Sequence, residues 1–295
     1  MPAPALQFRF PVPGGPTVMR MGFGAMRICG PGTSGMPDDV EAAKAVLRRA
    51  VELGINLIDT ADAYGPETNE AMIAEALHPY PKDLVIATKG GIVRPSDRSW
   101  QRDGRPEHLR AACEASLNRL KTEQIDLYQL HAVDEKVAFA DQVGALAQLR
   151  DQGKIAMVGL SNVSVDQLRE AQTIVPIASV QNRFNYADQS HAPVLAECDR
   201  LGVAFLPWRP LATGDLAQDG SLVAAIAAEL DATPAQVALA WLLQLSPAVI
   251  PIPGTSKIDH LEEDLAAIKL ELNDQHMRQL GRLVNGQITQ TPMQT

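Results

Sequence analysis

Leu84-Val-Ile-Ala-Thr-Lys89 and Asp126-Leu-Tyr-Gln-Leu-His131, with the amphipathic run Pro106–Leu120 between them, decide the fold. Each outer run is short, rich in aliphatic and β-branched residues, and ends on a polar side chain. The middle run has helical length. This is the pattern of a strand, a crossover helix and a parallel strand.

The same alternation extends in both directions. Upstream it predicts strands at Met21–Gly24 and Leu57–Asp59, with helices at Asp38–Leu53 and Glu67–Leu77. Downstream it predicts strands at Ile155–Ser161, Ser179–Asn182, Ala204–Trp208 and Val249–Pro251. The remaining helices fall at Phe139–Gln152, Ser164–Ile174, Ala192–Leu201, Pro234–Leu245 and Ile258–Ile268. The first helix carries an apolar stripe of Val40, Ala43, Val46, Leu47, Ala50, Val51 and Leu53, and Ser164 with Gln167 forms a capping box.

Eight such units without a Pro/Gly-rich linker near the middle predict an α/β fold, a single (β/α)8 TIM barrel forming one domain over residues 1–295. Residues 1–20 read as an N-terminal β-hairpin, Gln7–Phe10 against Thr17–Met19, placed to plug the barrel's N-terminal end. Ser221–Leu230 and Asn273–Leu283 are extra C-terminal helices. Residues 284–295, polar from Gln287, read as a mobile tail.

The bulk numbers agree with a folded enzyme-sized protein. The chain has 295 residues, 46% hydrophobic and 21% charged, with a net charge of −9. The acidic balance speaks against a nucleic-acid or anionic-membrane partner. Three widely spaced cysteines, Cys29, Cys113 and Cys198, form neither a disulfide framework nor a CxxC pair, as expected of a reducing, cytoplasmic setting. The N-terminus lacks a signal-peptide pattern, and apolar runs such as Val237 to Leu243 are too short to span a bilayer. Oligomeric state is not legible in the pattern.

Gly30-Pro-Gly-Thr-Ser-Gly35 matches the GxGxxG of dinucleotide-binding folds and follows a strand, so a Rossmann domain is the structural rival. Its details oppose that reading. Met36-Pro-Asp-Asp39 separates the last glycine from the helix, and Pro31 and Pro37 lack the N–H groups that would bind a phosphate. The run reads instead as a loop above the first strand.

In a parallel barrel the chemistry lies at the C-terminal ends of the strands. Asp59, Lys89 and His131 each end a strand, and Tyr64 follows in the loop after Asp59. Singly each has a bland explanation: a helix cap, a snorkelling lysine, a core histidine, a packed tyrosine. Together they make an acid site. Lys89 can stabilise a Tyr64 phenolate, Asp59 can hold Lys89, and a neutral His131 can donate to a carbonyl oxygen. No metal-ligand spacing occurs among the six histidines, which leaves a nicotinamide as the hydride source.

These residues lie within a longer series: Gly-Phe-Gly-Ala-Met (22–26), Ile-Asp-Thr-Ala-Asp-Ala-Tyr-Gly (58–65), Ala-Thr-Lys (87–89), Leu-His (130–131), Gly-Leu-Ser-Asn (159–162), Val-Gln-Asn (180–182), Trp-Arg-Pro-Leu (208–211) and Ile-Pro-Gly-Thr-Ser-Lys (252–257). With them the chain resembles the aldo-keto reductase superfamily over nearly its whole length, most of all the bacterial pyridoxal-reductase type. The resemblance implies a (β/α)8 barrel, a catalytic tetrad of Asp59, Tyr64, Lys89 and His131, a small-molecule carbonyl substrate and NADPH (NADP) as cofactor, with NAD the alternative.

It also implies a cofactor site of Ala25, Met26, Asp59, Ser161, Asn162, Gln181, Trp208, Arg209, Pro210, Leu211, Gly254, Thr255, Ser256, Lys257 and Asp264. Ser161, Asn162 and Gln181 would bind the carboxamide and Trp208 would stack on the nicotinamide ring. Gly254–Lys257 opens a helix suited to the 2′-phosphate. Trp208 stands in place of the usual tyrosine, Arg209 of a small serine, and His260 and Asp264 of an Arg and an Asn, which weakens the NADP reading. Ile92–Arg105 with Trp100, the loop 30–37 and Ala132–Lys136 are candidate substrate walls. NADPH-dependent carbonyl reduction is the leading function. An NAD(P)-dependent dehydrogenase of a sugar or alcohol is the second, and a nicotinamide-binding sensor barrel, disfavoured by the intact tetrad, is the third.

Overall fold

The computed structural model describes residues 9–212, 221–284 and 287–289. The chain enters through an antiparallel hairpin, β1 (Arg9–Pro11) with β2 (Thr17–Met19). Strand and helix then alternate: β3 (Phe23–Gly24), α1 (Val40–Glu52), β4 (Leu57–Asp59), α2 (Thr68–Leu77) and β5 (Val85–Gly90). A second hairpin, β6 (Ile92–Val93) with β7 (Gln101–Arg102), precedes α3 (Pro106–Leu120). Then come β8 (Ile125–Leu130), α4 (Phe139–Asp151), β9 (Ile155–Ser161), α5 (Val165–Ile174), β10 (Ile177–Gln181), α6 (Ala192–Leu201) and β11 (Ala204–Phe205). The chain continues through α7 (Leu222–Glu229), α8 (Pro234–Leu245), α9 (Ile258–Ala266) and α10 (Asp274–Leu280), and the last pair is β12 (Arg282–Val284) with β13 (Gln287–Thr289).

Seven strands form one parallel sheet in the order β11-β10-β9-β8-β5-β4-β3. The eighth predicted strand, Val249–Pro251, is not regular. Residues 248–253 nonetheless bond to both edges: Phe205 N donates to Ala248 O (2.8 Å), Ile250 N to Phe205 O (2.9 Å), Gly22 N to Pro251 O and Gly24 N to Pro253 O (both 2.9 Å). Pro251 and Pro253 have no N–H to return, so this segment accepts on one side and cannot complete a ladder.

Alternation along the strands separates two cores. Leu57, Val85, Leu127, Met157, Ala178 and Ile250 point inside the curled sheet, where Phe10, Val12 and Val18 of the entry hairpin join them. The hairpin therefore plugs the interior as expected. Asn56 fastens it, accepting from Met19 N (2.7 Å) and donating to Thr17 O (3.1 Å). Ile58, Ile86, Tyr128, Val158 and Phe205 point outward against the helices.

The predicted helices all appear, most to within two residues, and the Ser164–Gln167 capping box is present. Gly30–Gly35 closes on itself, Gly30 N donating to Gly35 O (3.1 Å), and α1 starts only at Val40. Asp39 caps that helix through Ala42 N, so a carboxylate occupies the end a Rossmann fold would offer to phosphate. Within the expected mobile tail β13 pairs with β12, while residues 285, 286 and 290–295 lie outside the described residues. Gln7 and Phe8 of the hairpin also lie outside them. Among the described residues no single helix is long and apolar enough to cross a membrane.

Candidate active site

Asp59 and Lys89 end neighbouring strands, and their side chains meet inside the sheet. Lys89 Nζ donates to Asp59 Oδ2 and to Thr60 O, both at 2.7 Å, with the two side chains 0% and 3% exposed. The second carboxylate oxygen, Oδ1, accepts from Gln181 Nε2 (2.7 Å) and Gln129 Nε2 (3.1 Å). A buried ion pair persists only when its remaining hydrogen-bonding capacity is met, and this one is met on both sides.

The Lys89 ammonium lies 5.1 Å from the centroid of the Tyr64 ring, and the Tyr64 and His131 rings meet edge to face at 5.8 Å. The four predicted catalytic side chains are thus one cluster. Burial disfavours the Lys89 charge, but Asp59 and Tyr64 outweigh it and hold the pKa above its ordinary value. Burial is also the largest influence on Tyr64 and raises its pKa, with Lys89 the main counterweight. The expected lowering of the phenol is therefore not what the structure shows; desolvation wins, and Tyr64 rests as a protonated donor. Burial, then the charge of Lys89, pushes His131 well below the ordinary histidine range, so its ring is neutral near pH 7. His131 Nδ1 is buried without a hydrogen-bond partner among the described residues.

Asp59, Tyr64 and His131 open onto a cavity of about 620 Å³, in the size range of small-molecule sites. Of the residues expected at the cofactor, Met26, Asp59, Ser161, Asn162, Gln181, Trp208, Arg209, Pro210, Leu211 and Gly254 line it. Gly254 is required there, because a Cβ would collide with the Gly24 carbonyl. Asn162, in the left-handed region at φ 58°, spends its amide on His131 O (3.1 Å) and Ser161 Oγ (2.9 Å) and accepts from Trp208 Nε1 (3.0 Å). It therefore fixes the indole rather than standing free. Ser161 keeps a hydroxyl hydrogen to donate, and Gln181 keeps Oε1 to accept.

Six expected residues do not line this cavity. Lys89 stands behind Tyr64, Ala25 is fully buried, and Asp264 is buried with its carboxyl pushed up to about 7 by desolvation and then by Glu263. Thr255, Ser256 and Lys257 are the others. Thr255 Oγ1 accepts from Lys257 N (3.0 Å), and Lys257 is the exposed N-cap of α9, which has no side-chain cap. Ser256 borders a second cavity of about 540 Å³, next to the loop 30–33 and Arg27. Arg209 is exposed with its guanidinium carbon 5.7 Å from the Trp208 ring, a cation on the rim.

Of the three candidate substrate walls only the first contributes, through Ile92 and Trp100. Sequence reading missed Arg27, Ala212 and Pro253 in the lining, and Gln129 beneath Asp59. Gln129 left a signal: it is a polar residue inside an apolar strand, two positions before His131 and so on the same face.

Residues 20–285 match the Aldo/keto reductase family. An uncharacterized oxidoreductase of Schizosaccharomyces pombe is 49% identical over 258 residues, covering 88% of this chain and 84% of its own. The pyridoxine 4-dehydrogenase of Escherichia coli is 40% identical over 265 residues, covering 88% and 92%. A crystal structure of an aldo-keto reductase from Klebsiella pneumoniae in complex with NADPH superposes with a TM-score of 0.78 at 25% identity, covering 92% of this chain and 93% of that one.

Proposed function

Because the chain belongs to the aldo/keto reductase family and is an NAD(P)H-dependent oxidoreductase, we propose that it reduces an aldehyde or ketone to the alcohol, with NADPH as hydride donor and Tyr64 as general acid. The joining of Asp59, Lys89, Tyr64 and His131 at one end of the cavity carries this reading. We take residues 248–253 as the eighth stave of a (β/α)8 barrel and the chain as one catalytic domain. The three cysteines, all free, support a cytoplasmic setting.

The residues present fit the cofactor. A carboxamide offers one acceptor and two donors, which match the Ser161 hydroxyl and Gln181 Oε1. Trp208, fixed by Asn162, presents a ring for stacking, and the uncapped start of α9 with Lys257 offers N–H groups and a cation for a phosphate. When bound, NADPH supplies the hydride. Neutral His131 orients the substrate carbonyl. Tyr64 gives its phenolic proton to the carbonyl oxygen, and Lys89, anchored by Asp59, stabilises the phenolate left behind. The same groups run the reverse reaction, so an alcohol dehydrogenase is the second reading. The name of the Escherichia coli relative favours including pyridoxal and pyridoxine among the compounds tested.

The test is loss of NADPH absorbance with a panel of carbonyl compounds. Tyr64→Phe should lower turnover roughly 100- to 10,000-fold while NADPH binding stays unchanged. Near-normal turnover in that variant would remove Tyr64 as the acid.

A further inference from the structure

Trp100 is 46% exposed, the most exposed large apolar side chain among the described residues. It nonetheless stands over the reacting groups, its ring centroid 6.3 Å from Tyr64 and 6.1 Å from His131. It lies on the connection between β6 and β7, a hairpin of two residue pairs that is too short to hold an indole still by itself.

Arg94 supplies the hold. Its guanidinium lies over the indole, the central carbon 4.1 Å from the ring centroid. Its edge is spent on main-chain carbonyls: Nε donates to Arg98 O (3.1 Å), Nη1 to Thr33 O and Ala63 O (both 3.4 Å), and Nη2 to Gly32 O (3.3 Å). One side chain thus ties the hairpin to the loop after β3 and to the residue preceding Tyr64. With Arg94 on one face, the surface the indole offers the cavity is its other face and rim.

We propose that Arg94 is a positioning residue that fixes Trp100 as a flat wall of the substrate cavity, and that this wall selects planar carbonyl substrates, aromatic or heteroaromatic aldehydes, over saturated ones of equal size. The inference rests on the carbonyl-reduction reading and adds its substrate class. A planar ring stacks on an indole through its whole face, whereas a puckered ring touches it at fewer atoms. Lysine cannot replace Arg94, because an ammonium has neither a plane to lie on the indole nor a fork of N–H groups for four carbonyls.

Benzaldehyde and cyclohexanecarboxaldehyde test the wall in turnover, and the unreactive benzamide and cyclohexanecarboxamide test it in binding by calorimetry. Trp100→Ala, Arg94→Ala and Arg94→Lys should each raise KM for benzaldehyde and Kd for benzamide roughly three- to tenfold. The values for the saturated partners should move less than about twofold, with NADPH affinity little changed. Wild-type behaviour in Arg94→Lys, or equal losses for planar and saturated compounds, would overturn the proposal. If wild type turns over neither aldehyde, the reductase reading is in trouble; the amide pair still decides the wall, since no planar preference in wild type refutes it. Should Arg94→Ala not fold, Trp100→Ala and Arg94→Lys carry the comparison.

Discussion

Asp62, two residues before Tyr64, has a carboxylate oxygen, Oδ1, that is enclosed and lacks a hydrogen-bond partner among the described residues. Burial first and the Glu70 carboxylate second push its pKa up to about 8, while Arg119 and Lys89 oppose them. An unfolded aspartate ionises near pH 4. Between about pH 4 and pH 8 the folded chain therefore keeps a proton that the unfolded chain has lost, and stability falls as pH rises through that window. Asp62→Asn keeps the shape and removes the titration. Its unfolding midpoint should fall less than that of wild type between pH 5 and pH 8, the two curves converging toward the acid end. An unchanged slope in thermal scans across that range would place the titration elsewhere.

At the scale of elements, Gln129 of β8, Gly159 of β9 and Ser179 of β10 share one level of the sheet. Ser179 Oγ donates to Gln129 Oε1 (3.4 Å), and Gln129 passes its amide to Asp59. Gly159 makes the room, for a Cβ there would stand 2.7 Å from Gln129 Cγ and would strike Ser179 Oγ. Gly159→Ala should therefore cost roughly 1–3 kcal/mol of stability and lower kcat by displacing a donor to Asp59. Thermal unfolding with turnover measured on the folded protein checks both effects; an unaltered midpoint would contradict the packing. The start of α9 carries a second expectation. Lys257→Ala should weaken NADPH more than NADH, by roughly tenfold in their ratio, since the lysine is exposed and solvent screens it. Titration of both cofactors by fluorescence quenching measures this, and equal losses would show that Lys257 does not read the 2′-phosphate.

Across the whole molecule, the sheet is irregular at the seam of residues 248–253, and Arg20 clamps it. Its Nε donates to Val249 O (3.2 Å) and its Nη2 to Leu243 O and Ser246 O (both 2.6 Å), joining the start of the first parallel strand to the end of α8. The side chain is buried, and desolvation brings its pKa down to about 10, against the pull of Asp199. Arg20→Met preserves much of the volume and leaves buried carbonyls without a charged donor. A loss of roughly 2–4 kcal/mol is expected, lowering the unfolding midpoint by roughly 3–6 °C. A shift within about 1 °C by calorimetry would mean that the seam holds without it.

The alternation of strand and helix, the entry hairpin and the four side chains that cluster beside the cavity were legible in the sequence, because each depends on local periodicity or on a position at or just after a strand end. The pairing of Gln129 with Asp59, the Arg94 brace on Trp100 and the clamp of Arg20 on residues 243–249 were decided only by the tertiary structure, which brings together groups far apart in the chain. The protonation states follow the same division. Residue types told which groups titrate, but the direction in which Tyr64, Asp62 and His131 move depends on how far the folded chain removes each from water, and burial is the largest influence on all three.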